Sequence, residues 1–271
     1  MYKLDHIVHF VEQPEQAMAQ LIEEGLHVVA GGKHEMWGTY NALCYFGTTY
    51  VELIGIYDED LFTEAAKTNY TLHASHEKRK RASGLTRFAL RTYAIEEDAE
   101  KFRAAGFDVI GPETYSRTRP DESVVRWQLL HIGHPDSKIE YPFFIQWEED
   151  DATRLADMEE RGIITPHPAG QIEIEEVSYI IDNFKPVKLM STLCGVDMTV
   201  NIDKELNAEV ATVHVEGGKL VFYRPLGEGD VWEALLEHGQ GLYNIVLNGA
   251  EEEKIVYCEE ANYVFLVVKK V

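Results

Sequence analysis

Cysteine, basic residues and long apolar runs are all scarce in this chain. Its three cysteines, Cys44, Cys194 and Cys258, stand far apart in apolar or strand-like surroundings. That spacing excludes a zinc site of the usual kind and a disulfide framework, and it fits a reducing cytoplasm. Lysine and arginine number 25 against 47 acidic residues, a formal net charge of −22. Such a surface repels phosphate backbones and anionic lipid heads, so neither nucleic acid nor a membrane surface is an expected partner. No apolar stretch approaches a membrane span. Met1-Tyr2-Lys3-Leu4-Asp5 leads straight into a strand, without the charged region, apolar core and cleavage site of a secretory signal. The expectation is a cytoplasmic protein, neither secreted nor anchored. Core material is plentiful: 45% hydrophobic residues over 271 positions suffice for one large or two ordinary domains.

Strand-like and helical patterns alternate in a recurring order. A strand over about 4–11 precedes a helix opening at Pro14, where Ala17, Met18, Leu21 and Ile22 recur at helical spacing before Gly25. Strand candidates follow at 26–30, 39–46 and 50–57, with Gly31-Gly32 and Gly47-Thr48 read as turns. The same order of strand, helix and three strands returns at 85–93, 96–105, about 108–110, 124–132 and 143–147. Between the two units, 58–83 is helical in pattern, and its run Lys78-Arg79-Lys80-Arg81 reads as an exposed face balancing acidic neighbours. A polar helix over 150–161 and a loop over 166–170 lead to a third unit, with a strand at 173–181, a helix at 185–193 and strands at 196–202, 210–215 and 220–223. A partial fourth has a helix at 231–238 and strands at 242–247 and 263–268. Modules of roughly fifty to seventy residues that cannot bury both sheet faces alone imply pairing.

Within this pattern, His6 and Glu52 each place an ionisable group on an otherwise apolar strand. These segments, Leu4-Asp5-His6-Ile7-Val8 and Tyr50-Val51-Glu52-Leu53-Ile54, together with the paired units, resemble the vicinal oxygen chelate superfamily, specifically its glyoxalase-like branch, over about residues 1–148. Gly38-Thr39-Tyr40-Asn41-Ala42 with Phe46-Gly47, and Pro142-Phe143-Phe144-Ile145-Gln146-Trp147, are similar to two signature segments of that branch. The resemblance implies an α+β fold in which two βαβββ modules (1–148) form a curved mixed sheet around a site. A linker helix and loop (149–171) and a degenerate βαβββ-like C-terminal unit (172–271) complete the expected organisation.

In metal-dependent members of the superfamily, the first and last strands of each module present His, Gln or Glu to one divalent cation. Carried over, His6 and Glu52 are suitable metal ligands. The second module offers Arg87 and Gln146. A guanidinium stays charged and has no lone pair, so Arg87 argues against a metal. A divalent cation therefore stays open as a cofactor, with no metal as the better expectation. Arg87 would pair with Glu52, or grip a substrate carboxylate, phosphate or enolate. Strand parity puts Tyr50, Glu52 and Ile54 on one face, as it does Leu85, Arg87, Ala89 and Arg91, and Phe144, Gln146 and Glu148 on another. His9, three residues from His6, faces away and reads as packing.

His6, Glu52 and Arg87 thus form the candidate catalytic set, with Gln146, Trp37, Thr39, Asn41 and Arg126 as substrate contacts. Trp37, Thr39 and Asn41 surround a glycine-rich turn with His34, where aromatic faces and amides orient small ligands; the plainer alternative is an ordinary loop. His131 and His134 read as solvated. A lone imidazole on an apolar strand is more often a core residue tied to a neighbour. The resemblance reverses that preference for His6. For Glu52 a structural ion pair with Arg87 weighs equally with a catalytic role.

Two functions are open. One is a lyase or isomerase acting on a small oxygenated substrate, in which His6 or Glu52 moves a proton next to a carbonyl and Arg87, or a metal, stabilises an enolate-like oxyanion. The other is a metal-free protein that binds and sequesters a hydrophobic or aromatic compound. Ring-cleaving dioxygenase chemistry needs two histidines and a carboxylate on iron, and Arg87 disfavours it. The C-terminal unit shows Glu175-Glu176-Val177 and Tyr243-Asn244-Ile245 at the corresponding positions, which make no ligand set. Its expected role is to cover an edge of the first sheet, or to form a homodimer surface near Tyr223, Tyr243 and Tyr263.

Overall fold

The computed structural model describes residues 2–119 and 122–268. The first module comprises β1 (Lys3–Phe10), α1 (Pro14–Glu23), β2 (Val28–His34), β3 (Thr39–Phe46) and β4 (Thr49–Ile56). The helical segment after it is two short helices, α2 (Glu59–Ala65) and α3 (Leu72–Lys78), capped by Asp58 and Thr71, whose side chains accept from backbone N–H groups of the first turn. The second module is β5 (Gly84–Arg91), α4 (Ile95–Ala104), β6 (Asp108–Thr118), β7 (Val124–Gly133) and β8 (Phe143–Trp147). Helix α5 (Asp151–Glu160) then leads to β9 (Gly170–Ile180), α6 (Lys185–Cys194), β10 (Met198–Asp203), β11 (Ala208–Val215) and β12 (Gly218–Pro225). The chain ends in α7 (Asp230–His238), β13 (Gly241–Ala250), β14 (Lys254–Cys258) and β15 (Ala261–Val267).

Two mixed sheets result. The first runs β2-β3-β4-β1-β5-β8-β7-β6 and the second β10-β11-β12-β9-β13-β15-β14. In the first, each module pairs its opening and closing strands in parallel, β1 with β4 and β5 with β8, and the modules join through antiparallel β1 and β5. The second sheet repeats the plan with β9 beside β12, β13 beside β15, and β9 antiparallel to β13. Its last module lacks a helix after β13 and keeps three strands. Strand β14 escapes the sequence pattern because it is short and half-solvated: Ile255 and Tyr257 are exposed while Val256 and Cys258 are buried.

Strand β1 is buried over nearly its whole length, as expected of a central strand covered on both faces. One face of the first sheet, carrying Ile7, Phe88 and Leu90, shares a continuous core with Val177, Tyr179, Ile245 and Tyr263 of the second sheet and with α1, α4 and α6. Phe88 and Tyr179 meet edge to face at 5.9 Å. The C-terminal unit therefore covers a face of the first sheet and not its edge, because that face is a broad apolar surface. Tyr263 is fully buried in this contact, which removes it from any surface for a second copy. His9 spans the same seam: Tyr263 donates its hydroxyl to Nδ1 at 2.8 Å, and Nε2–H donates to the Glu259 carbonyl at 2.9 Å.

The opposite face of the first sheet holds a smaller apolar cluster, Val8, Phe10, Ile54, Ala89, Leu129, Phe143 and Ile145, closed from above by Phe62 of α2 and Leu72 of α3. The basic run falls at the end of α3, where Lys78 meets Glu140 at 3.0 Å and Arg81 pairs with Glu59 and Glu77. All three cysteines are free thiols. No helix among the described residues is long and apolar enough to cross a membrane.

Candidate active site

Beside that apolar cluster, the first sheet encloses a cavity of about 250 Å³. Its floor is built from β1 and β4. His6 is 4% exposed, stacked on Tyr50 at 4.7 Å and edge-on to Phe143 at 5.3 Å. Its Nδ1–H donates to Asp5 Oδ1 at 2.7 Å; an ionised carboxylate only accepts, so Nδ1 carries a proton and Nε2 is the nitrogen left for the cavity. Nε2 lies 3.8 Å from Glu52 Oε2. Glu52 is itself held by Asn41, whose Nδ2 donates to Oε1 at 2.6 Å while its Oδ1 accepts from Gly32 N at 2.9 Å.

Two local devices make this geometry. Adjacent strand residues ordinarily point to opposite faces. Between Leu4 and His6, however, the pairing with β5 slips by one residue, so Asp5 is the extra residue of a bulge and can reach its neighbour's ring. Asp5 is fully buried and also accepts from Arg91 Nε at 2.7 Å and Trp147 Nε1 at 2.9 Å. Burial alone would raise its pKa, but the His6 hydrogen bond and the Arg91 charge outweigh that and hold the carboxyl well below the usual range. The second device is Gly31, which sits with Gly32 inside β2 and not in a turn. A Cβ there would stand 1.9 Å from Asn41 Oδ1, so only glycine leaves room for the amide that orients Glu52.

The cavity walls carry more titratable groups. Tyr45 and Tyr50 line it, and burial pushes the Tyr45 phenol up to about 12 and that of Tyr50 well above its ordinary value. His34, His73 and His131 also line it. Burial pushes His34 down, His73 to about 3 and His131 well below the usual imidazole range, so all three are neutral. Strand β6 adds Tyr115 and Arg117, and α5 adds Arg154, whose guanidinium lies over the Trp147 ring at 3.9 Å.

Of the residues singled out from sequence, His6, Glu52, Asn41, Trp37 and Arg126 come together around this cavity. Trp37 packs against Tyr115 at 4.8 Å and His73 at 5.1 Å, and Arg126 pairs with Glu148 at 3.2 Å at the exposed rim. The other three do not line it. Thr39 is fully buried behind it, sharing a 3.0 Å hydrogen bond with His34 Nδ1. Arg87 is 0% exposed and spends its donors on the carbonyls of Tyr141 and Tyr70, with its guanidinium 5.5 Å from the Phe143 ring. With its donors engaged there, it forms no ion pair with Glu52 among the described residues. Gln146 faces the other way and accepts from Ile95 N at 3.0 Å at the start of α4. His131, expected in solvent, is 8% exposed, its ring 5.3 Å from Phe143. Asp5, Arg117 and Arg154 were missed. A bulge breaks the parity that would have found Asp5, β6 is longer than its apolar pattern, and Arg154 lies on a helix that reads as a polar linker.

The donor set does not fit a four-ligand divalent cation. From the opening and closing strands of the second module, β5 and β8, Ala89, Phe143, Ile145 and Trp147 take the inward positions, and none offers a metal a lone pair of the needed kind. Among the described residues no cluster of three or more His, Cys, Asp or Glu side chains is placed to hold a metal.

Comparison with known proteins places this arrangement. A family model for a glyoxalase-like domain matches residues 4–192, beyond the first two modules and through most of α6. A hypothetical protein from Staphylococcus aureus superposes with a TM-score of 0.82 at 22% identity, covering 99% of this chain and 100% of that one. A mutant of 4-hydroxymandelate synthase from Streptomyces coelicolor superposes with a TM-score of 0.55 at 11% identity, covering 91% of this chain and 70% of that one. At these identities the likeness is one of fold. No curated protein matches the sequence. With 189 of 271 residues under the family model, the chain belongs to the glyoxalase-like domain family.

Proposed function

We propose that this protein is an isomerase or lyase that moves a proton at a carbon next to a carbonyl group of a small oxygenated substrate. The observation that carries this reading is the Asp5–His6–Glu52 arrangement. Asp5 fixes the tautomer and plane of His6, so that Nε2 faces the cavity as a base. Asn41 occupies one oxygen of Glu52 and leaves Oε2 for the other role. A carbon acid seated against both groups loses its proton to one of them, and that same proton is returned at a neighbouring atom of the substrate, directly or after crossing the 3.8 Å gap to the other group, which gives isomerisation. If a leaving group sits one carbon further on, the same first step gives elimination.

Charge develops on the carbonyl oxygen in either case. Tyr45 and Tyr50 stay protonated because they are buried, so both are donors suited to an enolate-like oxygen in a site of low polarity. Nothing in this scheme calls on Arg87 or Gln146. A second reading, sequestration of an aromatic compound without turnover, draws support from the rings of Trp37, Tyr115, Trp127 and Trp147 around the same space.

The test is deuterium wash-in, followed by proton NMR, over a panel of small 2-oxo and 2-hydroxy acids, esters and amides in D2O. The expected outcome is enzyme-dependent exchange at one carbon of at least one compound, falling about 10²- to 10⁴-fold in Glu52→Gln. A ligand that binds tightly while no compound exchanges above the buffer rate would establish sequestration instead.

A further inference from the structure

Arg154 has no ion-pair or hydrogen-bond partner for its guanidinium among the described residues, in a chain of net charge −22. The side chain is buried, with the residue 7% exposed, and Nη1 lacks any acceptor. Burial lowers its pKa, and Asp5, the foremost negative charge acting on it, is already committed to His6, Arg91 and Trp147. Arginine keeps its charge even so. The remaining arginines of the cavity divide into two kinds. Arg119 is neutralised by Asp157 at 3.0 Å and Arg126 by Glu148 at 3.2 Å, both towards the rim. Arg117 resembles Arg154: it lines the cavity and meets no carboxylate or carbonyl among the described residues, and its Nη1 fits against Gly32, where a Cβ would stand 2.6 Å away.

An unpaired buried cation is costly, so its persistence points to an occupant that supplies the missing charge. We infer that the substrate is a carboxylate, gripped by Arg154 with Arg117 beside it. Trp147 covers one face of the Arg154 guanidinium, which fixes the plane of the fork and leaves its edge for a bidentate contact. The cavity volume of about 250 Å³ accommodates a small acid. The inference shares its cavity with the proton-transfer reading and rests on that reading only for calling the ligand a substrate.

Malonate and its uncharged, similarly sized amide, malonamide, are the probes, and they report binding without turnover. Trp147 under the guanidinium provides a fluorescence signal, and thermal melting provides a second readout. Malonate is expected to shift tryptophan emission and raise Tm in the wild type, while malonamide at the same concentration does neither. Arg154→Met is expected to weaken malonate binding at least tenfold while melting no lower than the wild type without ligand, since an apolar chain replaces an unpaired charge. Arg154→Lys, which keeps the charge but loses the fork, should fall between. Glu52→Gln should keep malonate binding while losing proton exchange, which separates failure of the acid assignment from failure of the catalytic one. Equal binding of malonate and malonamide, or wild-type malonate affinity in a folded Arg154→Met, overturns the inference.

Discussion

On the first sheet, His6 and Glu52 stand on neighbouring parallel strands, 3.8 Å apart, and line a cavity; on the second, Lys219 and Glu176 stand on neighbouring parallel strands at a similar 3.7 Å and are bound up with further partners. Lys219 also reaches Glu175 at 3.0 Å, and Tyr223 donates its hydroxyl to Glu176 at 3.1 Å. Both sheets join two modules in the same way, so the difference lies in what the charges are given to do. In the first, neighbours orient each ionisable group without cancelling it: Asp5 holds the far nitrogen of His6, and Asn41 takes one oxygen of Glu52. In the second, opposite charges quench each other and α7 packs on Ile180 and Ala208 nearby. A strand plan supplies positions, and a reactive site needs those positions held by partners that leave one atom of each group unused.

The comparison also assigns the second sheet its physical work, which is to bury the back of the first. Phe88→Ala removes a ring that is 2% exposed and lies on Tyr179 at the seam. Its expected cost is about 3–5 kcal/mol, read as a drop in the urea midpoint. Both sheets should unfold in one transition; two separate transitions would mean that the sheets are independent and would break the comparison.

An effect of intermediate size belongs to His9, which ties β1 to Tyr263 and Glu259 across the seam. Burial pushes its pKa down to about 4, with the Glu259 carbonyl and carboxylate opposing that shift and Arg79 adding to it. A histidine lowered in the folded state leaves the unfolded chain binding more protons below its own pKa, near 6.5. Its contribution is therefore complete above about pH 6.5 and is lost as pH falls through about 4, on the order of 3 kcal/mol. His73 and His76, depressed to about 3 and about 4, add to the same slope from the cavity side of the first sheet. Urea midpoints measured from pH 8 to pH 4 should fall more shallowly for His9→Gln than for the wild type. Parallel curves would show that the seam does not sense acid.

The smallest expected effect is on the quenched side. Lys219 is paired with two carboxylates but remains partly in solvent, so Lys219→Met should change stability by about 0–1 kcal/mol. A larger loss would mean that the second sheet also holds its charges under load.

Much of this was readable from the sequence. The repeated order of strand, helix and three strands emerged from periodicity and glycine stops, and His6 and Glu52 stood out because ionised groups on apolar strands are expensive. The errors have physical causes. Gln146 was placed with Phe144 and Glu148 on one face, and that parity holds along β8, but the cavity receives Phe143, Ile145 and Trp147 from the other. Arg87 has the parity of an inward residue, yet carbonyls of Tyr70 and Tyr141, remote in sequence, claim its guanidinium. Arg154 lies on a helix whose charges suggest solvent, and only the approach of Trp147 turns one of them inward. Contacts between distant segments leave no periodic trace.

Asp5 serves three partners at once: the His6 ring, the Arg91 guanidinium and the Trp147 indole. Chemistry and architecture are therefore inherited through a single side chain. A descendant that gave up catalysis would still need this carboxylate to neutralise Arg91, so finding it in a related sequence says little about activity. Glu52 and Asn41 are different, since Glu52 answers to no structural charge of its own. That pair, and not the more deeply anchored Asp5 and His6, is where divergence of function within such a lineage would first be written.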